Sequence, residues 1–259
     1  MKTAQEMYHH FSATASSYRQ VRTTDPEIIL FIAEILKDRE KIKAADIGCG
    51  TGRYDLLLFE HLNNLELTCI DANEKMLEQA SKYLHEHQIS NFKVVKSEAN
   101  NLPLDAHSMD SILTFNAVHH FDFTKFLNQC GQAIKADGKI FIYTRLRSQN
   151  DQNIWGSYFP DFSEKETRLY ELNEIEAYLQ AIPLLEVETI KRFHFPRSST
   201  LERLVYQAKA KHYSTFSLYS EKQFSESLQA FQANIRQNFP NTDQVEWVDE
   251  NILLVLKLS

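Results

Sequence analysis

The chain predicts an α/β fold built on a doubly wound, mostly parallel sheet, and three observations carry that prediction. Strand-like and helix-like segments alternate from residue 42 to residue 144, the pattern of a parallel sheet covered by helices on both faces. A glycine-rich turn, Gly48-Cys49-Gly50-Thr51-Gly52, falls between the first strand and the first helix of that alternation. About 45 residues of helical character separate the last two strand-like segments, too many for a structureless loop in a compact domain. A helical cap inserted between the last two strands is therefore expected.

The elements follow in order. Ala4 to Ser17 is a polar segment with helical character. Asp25-Pro26-Glu27 reads as a cap with proline at the first helical position, and Ile28 to Leu36 places apolar residues at helical spacing. Then come strand 42–47, helix 53–63, strand 65–70, helix 74–87, strand 92–96, strand 110–115, helix 123–136 and strand 139–144. Gly138 is expected at a left-handed helix C-terminus. Beyond it, Ser148 to Glu164 interleaves Trp155, Tyr158, Phe159, Pro160 and Phe162 with polar residues. Leu172 to Leu179 reads as a helix, Leu184 to Phe195 as a strand, 199–213 and 221–238 as helices, and Val245 to Leu258 as the last strand. The strands number seven. The expected division is an N-terminal arm over 1–24, a sheet domain over 25–196 and 241–259, and a cap over 197–240.

Composition narrows the function. The length of 259 residues suffices for one α/β domain with a sizeable insertion. No apolar run approaches the roughly 18 residues of a membrane span, and the N-terminus lacks the apolar segment of a secretory signal. Cys49, Cys69 and Cys130 show neither metal-ligand nor disulfide spacing, so they read as reduced thiols of a cytoplasmic protein. A formal charge of −7 argues against nucleic acid as a general partner. A membrane partner is not expected either.

The glycine turn is the most informative segment. It removes Cβ atoms that would keep a ligand from the backbone at a helix N-terminus. The spacing is Gly-x-Gly-x-Gly with Asp46 two places before the first glycine, whereas the dinucleotide fingerprint is Gly-x-Gly-x-x-Gly. Arg53 stands where that fingerprint has its third glycine. An acid at 46 suits a ligand that carries an ammonium group rather than a pyrophosphate.

Asp46 to Gly52 resembles the first motif of the class I, seven-strand, Rossmann-like S-adenosyl-L-methionine (SAM)-dependent methyltransferases. The resemblance extends over roughly the first 145 residues. Leu67 to Asp71 is similar to that family's second strand, whose terminal acid takes both ribose hydroxyls; a carboxylate offers two acceptors to two O–H donors. Lys96-Ser97-Glu98-Ala99 resembles the third strand's end, with Glu98 where Asp is usual. Met109 to Phe115 and Asn116-Ala117-Val118-His119-His120 resemble the fourth strand and the turn beside the methyl-transfer site. The resemblance implies SAM as cofactor, S-adenosyl-L-homocysteine as its product and no metal. It implies cofactor contacts at Asp46, Gly48, Cys49, Gly50, Asp71, Ala72, Glu98 and Ala99, and at Asn116 through its backbone. Tyr18 and Arg22 match the arm that in the family closes over the cofactor; the other reading is a solvated helix end. Met76 is an adenine contact or a core residue.

Methyl transfer from a sulfonium is an in-line displacement, so the protein must orient the acceptor and exclude water. A base is needed only where the acceptor carries a proton to lose. His119 and His120 are the candidates for that role; alternatively one shapes the turn and the other lines the pocket. The turn after the fourth strand lacks the Pro-Pro-aromatic sequence of amide and adenine methyltransferases. The cap's position is similar to that of methyltransferases acting on small carboxylic acids. Six basic residues lie between Lys191 and His212 with a single acid, Glu202, and Arg145 and Arg147 leave the fifth strand. The expectation is a small-molecule acceptor that carries a carboxylate, packed on Trp155, Tyr158 or Phe216 and held by Arg145, Arg147 or Arg197. Two alternatives are a catalytically silent SAM-fold binding protein and a methyltransferase acting on protein or tRNA. Either a monomer or a homodimer is compatible with these features.

Overall fold

The computed structural model describes residues 4–259, so the first three residues of the arm expected over 1–24 lie outside the described ones. The chain begins with helices α1 (Ala4–Thr14), α2 (Tyr18–Val21) and α3 (Pro26–Leu36). Alternation follows through β1 (Ile42–Ile47), α4 (Arg53–His61), β2 (Leu65–Asp71), α5 (Glu74–Glu86), β3 (Phe92–Lys96), β4 (Met109–Phe115), α6 (Phe123–Ala133) and β5 (Ile134–Thr144). Four helices come next: α7 (Arg147–Gln152), α8 (Ile154–Tyr158), α9 (Phe162–Lys165) and α10 (Leu172–Gln180). The chain closes with β6 (Leu185–Ser199), α11 (Leu201–Lys209), α12 (Glu221–Asn238) and β7 (Val245–Leu258).

The strands make one seven-stranded sheet in the order β3-β2-β1-β4-β5-β7-β6. β1 pairs in parallel with both β2 and β4, β2 with β3, and β4 with β5. The chain runs outward from β1 to β3 and then returns to β4 on the other side of β1. That reversal opens a crevice at the carboxyl ends of β1 and β4, where sheets of this kind take their ligands.

Two compact units are present. One comprises residues 23–144, 173–191 and 253–259; the other holds the described residues up to Arg22, then 145–172 and 192–252. The expected cap of 197–240 is thus one part of a helical unit that also takes in the N-terminal helices and residues 145–172.

In the sheet unit the burial pattern explains the strand positions. All seven residues of β4 are buried, as a central strand covered on both faces requires. β3, at the edge, exposes Lys93, Val94 and Lys96, and charged edges resist pairing with other chains. Helix α3 buries Ile28, Ile29, Ile32 and Leu36 along one stripe. Asn73 caps α5 by accepting from the N–H groups of Lys75 (3.0 Å) and Met76 (3.2 Å). One local expectation is corrected. Helix α6 stops at Ala133, not 136, and Gly138 lies inside β5 without a left-handed φ. Pairing with β4 jumps from Met109–Ile134 to Ser111–Lys139, so the extra residues form a bulge. A Cβ on Gly138 would stand 2.6 Å from Ile134 Cγ1; the glycine serves close approach within the bulge, not a helix end.

The helical unit has its own core of Trp155, Phe159, Phe162, Leu204, Phe216 and Phe231. Trp155 stacks on Phe231 (centroids 5.0 Å apart, 24°) and meets Phe216 edge-on at 5.2 Å. Full burial of such side chains stabilises by about 1.5–3 kcal/mol each. A capping box closes α12, in which Ser220 N–H donates to Gln223 Oε1 and Gln223 N–H to Ser220 Oγ. The buried carboxylate of Glu166 accepts from Arg168 through both oxygens and from the Thr215 hydroxyl at 2.5 Å. The N-terminal helices are tied to α11 where Arg203 Nη2 donates to Gln20 O (2.7 Å) and Gln207 Nε2 to Val21 O (3.1 Å).

Candidate functional site

β1 leaves the sheet through three glycines in the left-handed region: Gly48 (φ +73), Gly50 (φ +58) and Gly52 (φ +77). Their roles differ. A Cβ on Gly48 would come within 2.6 Å of Ala117 Cβ, because the turn after β1 lies against the turn after β4. One on Gly52 would press at 3.3 Å on the backbone of Ala80 in α5. At Gly50 nothing lies within 4 Å, so the missing side chain leaves open space beside the backbone. Gly48 and Cys49 both donate N–H to Ile70 O (2.7 and 3.1 Å), which ties the turn to the end of β2.

At that end stands Asp71. Its Oδ2 accepts the Gly50 N–H at 2.9 Å and its Oδ1 the Asn73 N–H at 2.8 Å. Each oxygen keeps a further lone pair for a ligand. Burial pushes this carboxyl above the usual range, while the two N–H groups hold it down. The same hydrogen bonds orient the glycine turn and the acid together. Beside them Ala72 is exposed and Met76, in α5, is buried. Glu98 is exposed just past β3, and Ala99 is half-buried.

Beneath the turn lies a feature that sequence reasoning missed. Asp46, at the carboxyl end of β1, is 1% exposed, and Asp55, in the first turn of α4, is 0% exposed. Asp46 Oδ1 and both oxygens of Asp55 are buried without an N–H or O–H donor. Burial first, then the charge and contact of Asp55, push Asp46 well above the carboxylate range; burial likewise raises Asp55. The thiols of Cys49 and Cys69 adjoin the pair. The Cys69 thiol and then burial raise Cys49, and burial with the Asp55 charge leaves Cys69 at about 12 despite an opposing contact from Cys49. Both thiols are buried and protonated, hence unreactive.

The turn after β4 completes this end of the sheet. Asn116 takes a left-handed φ of +54 and donates its N–H to Tyr143 O at 2.7 Å. His119 and His120 follow on a single 3-10 turn with ring centroids 4.1 Å apart; His119 is half-buried and His120 exposed. Tyr54 stacks on Phe115 at 4.4 Å and so braces the strand that carries this turn. Asp46, Gly48, Cys49, Gly50, Asp71 and the Asn116–His120 turn therefore converge at the carboxyl ends of β1, β2 and β4.

The other predicted residues belong to the helical unit. Arg22 lies over the Tyr213 ring (4.5 Å) and the Tyr18 ring (5.6 Å) and donates to His212 O at 3.2 Å. Arg145 also faces Tyr213, donating to its hydroxyl at 3.3 Å. Asp249, on β7, gathers two of the predicted cations: Arg145 Nη2 reaches its Oδ1 at 3.2 Å and Arg197 Nε its Oδ2 at 3.1 Å. Arg147 instead donates to Leu169 O from Nε and Nη2. Trp155 and Phe216 are core residues; Trp155 meets Phe216 edge-on and stacks on Phe231. Tyr158 is half-buried with its ring against Phe239. His212 is buried between Trp155 and Tyr213; burial first, then Arg22, hold its imidazole well below its usual pKa, so it is neutral. Asp249, Tyr213 and His212 carried no signal in the sequence beyond their residue types.

Among the described residues no group of three or more His, Cys, Asp or Glu is placed to hold a metal ion. No helix among the described residues is long and apolar enough to cross a membrane.

Residues 44–138 match the family model described as a methyltransferase domain. The chain is 28% identical over 134 residues to the methyltransferase YcgJ of Bacillus subtilis, covering 51% of this chain and 52% of that one. Its crystal structure superposes with a TM-score of 0.61 at 19% identity, over 90% of this chain and 98% of that chain. A demethylmenaquinone methyltransferase of Thermotoga maritima is 30% identical over 116 residues, 44% of this chain and 48% of that protein. Geranyl diphosphate methyltransferase, solved in complex with SAM, has the same fold (TM-score 0.57, 10% identity, 90% and 85% covered). By sequence the chain spans about half the length of these curated relatives.

Proposed function

From a chain whose residues 44–138 form a class I, SAM-type methyltransferase domain, we propose an enzyme that transfers the SAM methyl group to a small molecule. One observation carries the proposal: Asp71 holds the Gly50 N–H while keeping lone pairs free beside the open space at Gly50. A ribose diol needs a paired acceptor of this kind, and a nucleoside can approach the backbone only where no Cβ intervenes. In this reading Asp71 holds the ribose, Asp46 faces the amino group, and Gly48, Cys49, Gly50 and Asn116 offer backbone. Ala72, Met76, Glu98 and Ala99 flank the adenine. When bound, SAM supplies an electrophilic methyl on sulfonium. The chain's task is to orient the acceptor and keep water out. His119 or His120 takes a proton from an acceptor that has one to lose.

Asp71→Ala should weaken SAM binding by about 1–3 kcal/mol, the cost of removing a charged acceptor from two hydroxyls. Calorimetric titration checks this. Unchanged affinity would remove Asp71 from the ribose.

We further propose that the acceptor carries a carboxylate. Arg145 and Arg197 converge on the single carboxylate of Asp249, and a second carboxylate suits the same guanidinium forks. Tyr18, Arg22, Arg147 and Tyr158 belong to the same unit. Arg145→Gln and Arg197→Gln should raise KM for the acceptor while leaving SAM affinity unchanged. A cationic acceptor, or unaltered kinetics in both variants, would sink this reading.

A further inference from the structure

Two carboxyl groups are buried under the glycine turn, and their surroundings bear on how many charges they carry. Asp46 ends β1, and Asp55 sits in the helix that the turn feeds. The side chain of Asp55 folds back beneath the turn, where its Oδ2 lies 3.5 Å from the position of a Cβ on Gly52. Three of their buried oxygens have no N–H or O–H donor. The two carboxyls lie close enough that each acts on the other's ionisation. Two ionised carboxylates cannot bond one another, since both are acceptors only.

Around them the charged groups are mostly negative, with one cation acting from a distance. Asp71, from β2, adds a third negative group. Cys49 in the turn and Cys69 in β2 contribute neutral thiols. Arg53 in α4 acts on Asp46 from a distance but directs its guanidinium to Thr24 Oγ1 (2.9 Å) and Thr23 O, and over the Tyr54 ring. Two buried like charges with no cation bonded to them are strongly disfavoured, and a proton shared between them removes the conflict.

We infer that Asp55 is a positioning residue of the cofactor site: it shares one proton with Asp46 in the free protein, and a cationic amino group arriving at Asp46 expels that proton. The inference rests on the proposed SAM site. The balance is simple: one O–H bond of the pair breaks, the proton passes to solvent, and the ligand's ammonium replaces it as the compensating charge. In this arrangement Asp55 sets the pH at which the cofactor can bind. Binding that releases a proton strengthens as pH rises until the free pair has already ionised.

The test is calorimetry of S-adenosylhomocysteine binding to the full chain, between about pH 5 and about pH 8, in buffers of different ionisation heat. The wild-type protein should release up to one proton per ligand, with affinity rising by up to about tenfold per pH unit in the lower part of the range. Asp55→Asn, of equal size, supplies an N–H donor to Asp46 with no titrating proton. It should bind with no proton release from this pair and a flattened pH profile. Equal proton release in wild type and Asp55→Asn would overturn the inference. So would wild-type binding without proton release, which needs no variant and leaves the methyltransferase reading standing. Failure of the wild-type protein to bind at any pH would defeat that reading and the inference together.

Discussion

Gly50 separates binding from folding at the level of one residue. An alanine there meets no atom within 4 Å, so its cost to the fold is confined to the left-handed backbone, about 1–2 kcal/mol. The same methyl group enters the space assigned to the cofactor. Gly50→Ala should therefore remain folded, with a modestly lower Tm, while SAM binding is lost in calorimetry; normal binding would make the turn purely structural. Asp46, the three glycines and Asp71 were legible in the sequence because their types and spacing match one turn and one strand end. Asp55 was not. An acid in the first turn of a helix reads as a partner of the helix dipole, and only the fold shows its side chain turned inward, at 0% exposure.

Elements show where local signals suffice and where they stop. Strands β1 to β4 and helix α12 stand where the sequence pattern put them; the strands are short apolar runs bounded by turn residues, and α12 has a capping box at Ser220. Gly138 follows an apolar helix, the usual setting of a left-handed cap, whereas here a bulge in β5 requires it. The basic run after Lys191 suggested cations facing a ligand. It gave no sign that Asp249, 52 residues beyond Arg197, would accept from Arg197 Nε. Trp155 and Phe216 suggested a pocket wall but fill a core, as aromatic residues at close spacing commonly do. The buried, neutral His212 has a consequence of its own. Its folded pKa lies below the 6.5 of an unfolded histidine, so the unfolded chain binds more protons below that pH. Stability should fall as pH drops from 6.5 toward the folded value, by about 1.4 kcal/mol per unit. Denaturant melts of wild type and His212→Gln across this range should diverge on the acid side; parallel profiles would refute the assignment.

Across the whole molecule the acid pair acts with the opposite sign. Asp46 and Asp55 have folded pKa values above the 3.8 of an unfolded aspartate, so the folded protein holds a proton that the unfolded chain has given up. Their contribution is present below 3.8 and lost as pH rises through the folded values, by about 1.4 kcal/mol per unit. Asp55→Asn should therefore be more stable than wild type at neutral pH, with an advantage that shrinks in acid; thermal melts across the range measure it. Such a gain would mark the pair as retained for binding at the expense of the fold.

The contact between Gly48 and Ala117 carries an implication for inheritance. Their backbones meet so closely that a methyl group at 48 would stand 2.6 Å from the one at 117. Phe121 Cζ would stand 3.0 Å from the same methyl group, and the backbone there is left-handed at φ +73. Position 48 is thus closed on three counts, so Ala117→Gly alone should not restore a Gly48→Ala protein, and a genetic screen from that variant should return reversion to glycine first.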